Sequence, residues 1–244
     1  MEPPHLGPVM NTFSDRISAA PALARALPFA VFLLLTFAQG SLGESSRYWI
    51  YAAKTVLGAW LVWMVWPLVT EMRWKFSAAA LLVGVGIFAL WVGLDHIVPG
   101  QQELWVQLGL SKPPATPALP WNPLAHFSDA AALGWFFVII RILGSAMVVP
   151  PIEEAFYRSF LYRWIASPDF QSQTLGTFAI KPFLLTALIF GFAHNEWLAG
   201  ILCAAAYQGL VCWKKNLGEA MTAHAITNLL LGLYVVGRGQ WQFW

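Results

Sequence analysis

Charge is scarce in this chain. Only 11% of its 244 residues are Asp, Glu, Lys or Arg, where a soluble domain carries about 25%. An ordinary water-facing surface cannot be built from so few. The 14 basic and 12 acidic side chains leave a formal net charge of +2, too weak a field to hold a nucleic acid. Cysteine is nearly absent: Cys203 and Cys212 stand nine residues apart in one apolar run. Nine helical residues rise by roughly 13 Å, and a disulfide needs Cα atoms within about 7 Å. Both are therefore expected as free thiols, packed as small apolar side chains. Missing too are the alternating runs of a transmembrane β-barrel, any internal repeat, the GxSxG nucleophile elbow and the HExxH zinc signature. The opening MEPPHLGPVMNTFSDR has no basic leader ahead of an apolar run, so no cleavable signal is expected. Neither end carries a lipidation pattern.

What the chain does have is apolar bulk. It is 58% hydrophobic with 14 tryptophans, and its mean hydropathy is +0.60. Indole rings settle at membrane–water boundaries, so the composition reads as a polytopic membrane protein. Seven apolar spans fall near 27–42, 48–69, 76–98, 130–149, 178–193, 197–213 and 220–236. Most approach the length of about 20 residues that a helix needs to cross hydrocarbon. The expected fold is all-α, a transmembrane helix bundle of about seven spans with its active site between helices. The organisation reads as an N-terminal cytoplasmic segment (1–26), three N-terminal membrane helices (27–98), a Pro/Trp-rich loop on the membrane surface (99–129), a core (130–236) and a short tail (237–244). Pro113, Pro114, Pro117, Pro120 and Pro123 mark the loop. The fourth element reads as continuous from 130 to about 164, and Pro150 and Pro151 should bend or break it.

Basic residues collect on cytoplasmic loops. With the N-terminus inside, the inner segments hold Arg16, Arg25, Arg73, Lys75, Arg163, Lys181, Lys214 and Lys215, and the outer ones Arg47, Lys112 and Arg238. That orientation is the expectation.

Polar groups inside greasy segments are the candidates for chemistry, because a charge at bilayer depth is costly and seldom kept without use. They are Glu153, Glu154 and Arg158 in PPIEEAFYRSF, His194 in IFGFAHNEW, and His224 and Asn228 in MTAHAITNLL. Glu154 and Arg158 are four apart and share a helix face. Glu153 points about 100° away. His224 and Asn228 are also four apart. At about 1.5 Å per residue, Glu153, His194 and His224 fall roughly 13–20 Å from the basic anchors Arg163, Lys181 and Lys215. Groups from three helices thus converge on one depth. A carboxylate beside a histidine deprotonates a water, and a histidine beside an amide donates to an oxyanion. The set reads as a hydrolase of an acyl bond, a peptide above all.

Each item also has a structural reading. Glu154–Arg158 could be an ion pair within a bundle, His194 an interfacial histidine, and His224–Asn228 interhelical hydrogen-bond glue. Arg141 is expected to pair with Asp95 or Glu219, Asp95–His96 to be interfacial, and Glu219 to sit at a helix N-terminus.

At these residues the chain resembles the CAAX prenyl endopeptidase and bacteriocin-processing group of intramembrane proteases, the CPBP or Abi family. The family pattern EExxxR, FxxxH, HxxxN/D reads here as Glu153-Glu154 to Arg158, Phe190 to His194, and His224 to Asn228, with Pro151-Ile152 as the lead-in. The resemblance covers about residues 130–236. Ser159 stands where a glycine or alanine often follows the Arg. The resemblance implies Glu153 as general base, His194 holding the water, His224 and Asn228 at the oxyanion, and Glu154 and Arg158 supporting, with Glu154 sharing the base's work. It implies no metal and no cofactor, a peptide or lipid-linked protein tail as substrate, and a bacterial cytoplasmic membrane location. The chain is also similar to a bacterial branch associated with exosortase-type protein sorting. Cleavage is expected near the inner leaflet. Two other readings stay open: a zinc protease on Glu153, His194 and His224 with Asn228 behind them, and a non-catalytic immunity or scaffold protein.

Overall fold

The structure, a computed structural model, describes residues 17, 19–39, 41–114 and 119–244. Residues 1–16 of the expected N-terminal segment, Gly40 in the expected first span and Pro117 of the loop lie outside the described residues. Every regular element among the described residues is helical: α1 (Pro21–Ala38), α2 (Ser46–Val65), α3 (Ala78–Leu94), short α4 (Gln101–Gln107) and α5 (Pro123–His126), the rod α6 (Ala131–Ala166), α7 (Ile180–Gly191), α8 (Trp197–Lys214) and α9 (Leu217–Arg238). A helix lies in the place of each expected span. By length and composition α1, α2, α6 and α9 are able to cross a membrane, while α3 and α7 are shorter apolar helices. The outer surface suits lipid: Leu34, Phe37, Trp63 and Leu82 are 67–75% exposed.

The first helix begins earlier than expected. Pro21 sits at its first turn, where a missing N–H costs nothing and a fixed φ favours the start. The rod α6 is the larger departure. It runs unbroken through Pro150 and Pro151 for 36 residues. A proline has no N–H, and its ring collides with the carbonyl four residues back. Here the turn before the prolines widens: Gly144–Val148 is π-helical, and the Val149 N–H reaches back five residues to the Gly144 carbonyl. A second π segment, Ala155–Leu161, follows the motif carboxylates. The element expected to be continuous from 130 to about 164 is so, and the prolines do not break it because the helix changes register.

Helix α9 is the centre of the bundle, packed on α3, α6 and α8. Leu217 to His224 are all buried, so its first two turns show no face to the outside. Close approach to α3 depends on Gly84, where a Cβ would lie 2.6 Å from the Ala223 carbonyl oxygen. The Thr227 hydroxyl donates to the buried Gly84 carbonyl at 2.9 Å. Asn216 caps α9 by accepting from the Gly218 N–H at 2.8 Å. Ser77 caps α3, accepting from the Ala80 N–H at 3.1 Å, and donates to Glu219.

Glu71, between α2 and α3, gathers one end of the bundle. Its carboxylate takes Arg25 of α1 at 2.7 Å and Arg163 of α6 at 2.9 Å, and accepts from the Ser159 hydroxyl. Burial alone would push this carboxyl up. The Ser159 hydroxyl and the Arg25 guanidinium outweigh burial and hold it below the ordinary carboxylate range.

The 99–129 connection is not a plain loop. It carries α4 and α5 and docks onto the bundle's other end. The Gln101 N–H donates to the Asn195 carbonyl at 2.7 Å, and the Trp197 indole to the Pro99 carbonyl at 3.1 Å. Trp121 is 2% exposed against Tyr48 and Tyr51. Both cysteines are free.

Candidate active site

The turn Val149–Glu154 of α6 presents two adjacent carboxylates in different directions. Glu154 faces inward and is fully buried. Its Oε1 accepts from His224 Nδ1 at 2.9 Å, and its Oε2 lies 3.1 Å from Arg158 Nε. The second contact is close enough for an ion pair but poorly aligned for a hydrogen bond: Glu154 Oε2 and all three Arg158 guanidinium nitrogens lack a hydrogen-bond partner among the described residues. The pairing is therefore Coulombic. Arg158 also rests on the face of Phe190, 4.7 Å from its centroid.

Glu153 faces the other way. Its Oε2 is 4.0 Å from His224 Nε2, beyond hydrogen-bond reach, and has no partner. His224 is thus held on one nitrogen by Glu154 and turns the other toward Glu153. Tyr207, which sequence reasoning left out, stacks on the His224 ring at 5.3 Å and donates to Thr227 Oγ1 at 2.7 Å. Only its place one helix away would have hinted at that role.

His194 lies in the turn just beyond α7. Its Nδ1 is 2.8 Å from the Phe190 carbonyl. A carbonyl only accepts, so Nδ1 carries a proton, and in the neutral ring Nε2 is the acceptor. Asn228 Nδ2 donates to the Ser145 carbonyl at 2.8 Å, in the π segment ahead of the prolines. That bond uses one of the two amide hydrogens.

Glu153, His194, His224 and Asn228 line one cavity of about 240 Å³, shared with Trp91 and Tyr207 among others. Glu154 and Arg158 do not line it; they stand behind His224. A larger cavity of about 800 Å³ beside α4 shares only Glu196 with it and holds none of the six motif residues. The motif cavity runs from mid-bundle to the end that carries Glu196, Phe243 and Trp244, away from Glu71, Arg163 and Lys215. An inner-leaflet position therefore does not follow from helical rise alone. His194 sits past the C-terminal end of α7, at the bundle end opposite Lys181.

Arg141 corrects another expectation. It pairs with neither Asp95 nor Glu219. Glu219 accepts from Ser77, and Asp95 lies 3.7 Å from His96. Arg141 instead sits among the rings of Tyr51, Trp121 and Trp244 at 4.8, 4.4 and 5.3 Å.

The zinc reading needs Glu153, His194 and His224 as one ligand set. No group of three His, Cys, Asp or Glu side chains able to hold a metal ion occurs among the described residues. Each imidazole commits only its Nδ1 to an oxygen.

Apolar helices around a cavity lined by ionisable groups define an integral membrane protein with a site inside the bundle. Residues 134–230 match the family model described as type II CAAX prenyl endopeptidase, Rce1-like. Over that stretch the chain is similar to the CAAX endopeptidase family. No curated protein and no solved structure matches it.

Proposed function

We propose that the chain is an intramembrane endopeptidase of the CAAX-protease type, with seven crossings and its N-terminus inside a bacterial cytoplasmic membrane. The observation that carries this reading is the single cavity lined by Glu153, His194, His224 and Asn228 from three separate stretches of chain. Its substrate is a peptide or a lipid-linked protein tail.

Glu153 takes a proton from a water that His194 Nε2 holds by accepting its other hydrogen. The hydroxide oxygen bonds to the scissile carbonyl carbon, and the carbonyl π pair moves to oxygen. That oxyanion receives the free Asn228 N–H and the His224 Nε2–H. In this role the His224 ring carries a proton on each nitrogen, with Glu154 as the anion on Nδ1. Collapse breaks the C–N bond, the proton on Glu153 passes to the leaving amine, and the carboxylate is restored. Glu154 and Arg158 act through His224 and touch no substrate.

The test is turnover of a peptide pool, read by mass spectrometry, by purified protein and by Glu153→Ala. Loss of a general base costs about 10²–10⁴-fold, with the variant still monodisperse on size-exclusion chromatography. Unchanged turnover would remove Glu153 from the mechanism. The non-catalytic reading makes the opposite forecast: His194→Ala and His224→Ala weaken the bundle and alter no proteolysis.

A further inference from the structure

Arg141 is a cation without an anion. It lies near the start of the rod α6, and its guanidinium makes no ion pair and no hydrogen bond among the described residues. Three aromatic rings enclose it. Rings of this kind hold a guanidinium by their faces and leave its N–H edges open. Arg141 lines the motif cavity. It also lines a neighbouring cavity of about 670 Å³, which shares Tyr51, Arg141 and Trp244 with the first.

That neighbouring cavity is cationic. Arg47, Lys54 and Arg141 line it against one acid, Glu44. Lys54 is 4% exposed, and its ammonium donates to neutral oxygens of Thr36 and Gln39 at 2.9 and 2.6 Å. Arg47 donates to the Leu119 carbonyl at 3.1 Å. None of the three is neutralised by these bonds. With three basic side chains against one acid the cavity keeps an excess of positive charge, which an anion would offset.

We propose that Arg141 is an anion-binding subsite of the motif cavity and holds a carboxylate carried by the substrate. The inference rests on the endopeptidase reading for the word substrate. Arg141 and Glu153 are twelve residues apart on one rod, roughly 18 Å of rise. Extended peptide covers about 3.3–3.6 Å per residue. The carboxylate therefore lies within about five residues of the scissile bond. It is an acidic side chain or a chain end; the guanidinium fork takes either in the same bidentate way.

The test is binding, so that it does not depend on turnover. Fluorescein-labelled Leu-Leu-Leu acid, its C-terminal amide, and Leu-Leu-Glu amide are titrated by fluorescence polarisation against Glu153→Gln protein in detergent. The acid should bind at least tenfold more tightly than its amide. Arg141→Gln should abolish the difference and Arg141→Lys should keep part of it. Leu-Leu-Glu amide binding like the acid assigns a side chain; binding like the plain amide assigns a chain end. Equal binding of all three peptides, or none, overturns the proposal. So does an Arg141-dependent displacement by dioctanoyl phosphatidylglycerol with no acid preference, which would make this a lipid site. The acid–amide comparison stands even if Arg141→Gln does not fold. Loss of turnover in Glu153→Ala without an acid preference sinks the subsite alone; an acid preference without wild-type turnover sinks the endopeptidase reading alone.

Discussion

Glu154 and Arg158 are partners of unequal dependence, and that inequality is measurable. Glu154 has two partners, His224 at 2.9 Å and Arg158 at 3.1 Å. Arg158 has only Glu154 as an anion within ion-pair range among the described residues, and both side chains are wholly buried. Glu154→Gln keeps the volume and strands a buried guanidinium. Removing one member of such a pair costs about 3–5 kcal/mol, mostly the penalty of the charge left behind. Arg158→Met strands less, because Glu154 still accepts from His224. The double change removes both charges and replaces the cation by an apolar chain of similar reach, which is near neutral for many buried pairs. The expected order of stability is therefore wild type and Glu154→Gln/Arg158→Met highest, Arg158→Met intermediate, Glu154→Gln lowest.

A thermal melt in detergent, read by size-exclusion fluorescence, resolves this order. In a chain of this length 1 kcal/mol moves the midpoint by about 2–4 °C, so Glu154→Gln should fall by roughly 6–20 °C. The double variant should recover most of that, a coupling that additive effects cannot produce. Its turnover should stay low, since His224 Nδ1 loses its ionised acceptor. A double variant no more stable than Glu154→Gln would refute the reasoning, as would a harmless Glu154→Gln.

Two further outcomes follow from the same geometry. The Glu71 carboxyl is held below its unfolded value, so its stabilising share is fully present above about pH 4.3 and is lost as pH falls through the lowered folded value. Melting midpoints from pH 7 to 3.5 should drop at the acid end in the wild type. Glu71→Gln should start about 3–5 kcal/mol lower and lose less on acidification; parallel curves would remove Glu71 from the acid transition. Turnover should survive a chelator in protein shown by metal analysis to be free of zinc, and a loss restored by added zinc would overturn the metal-free mechanism.

The motif residues were legible because their spacing is local. Four-residue intervals put Glu154 with Arg158 and His224 with Asn228 on shared faces, and the adjacent Glu153 had to diverge. Their order of importance was not legible. Nothing in EExxxR says that the second glutamate is the one behind His224, since that depends on how α9 is turned against α6. Non-local partners were invisible for the same reason. Ser159, taken as a small departure, bonds with Arg25 from 134 residues away at 2.8 Å. Glu71, which accepts from Arg25, sits in a connection with no periodicity to flag it. Arg141 was matched to acids because charge suggests charge, whereas its actual neighbours are aromatic rings from α2, the 99–129 connection and the chain end. The rule for prolines in α-helices does not foresee a rod that widens into π turns around them.

These features meet on one rod. Along α6 stand Arg141 in its aromatic cage, Glu153 at the cavity and Arg163 bound to Glu71. The first faces the end with the 99–129 connection, the last the end with Lys215, and Glu153 lies between. A single continuous helix fixes the distance from Arg141 to Glu153, which two helices joined by a hinge would not. The π segments on either side of Val149–Glu154 then serve a purpose beyond sparing the prolines. They set the rotation of that one α turn relative to both ends of the rod, so that Glu153 faces the cavity while Glu154 faces His224. Changes at Arg163 should accordingly read out as stability, at Glu153 as turnover and at Arg141 as affinity, although all three residues belong to one helix.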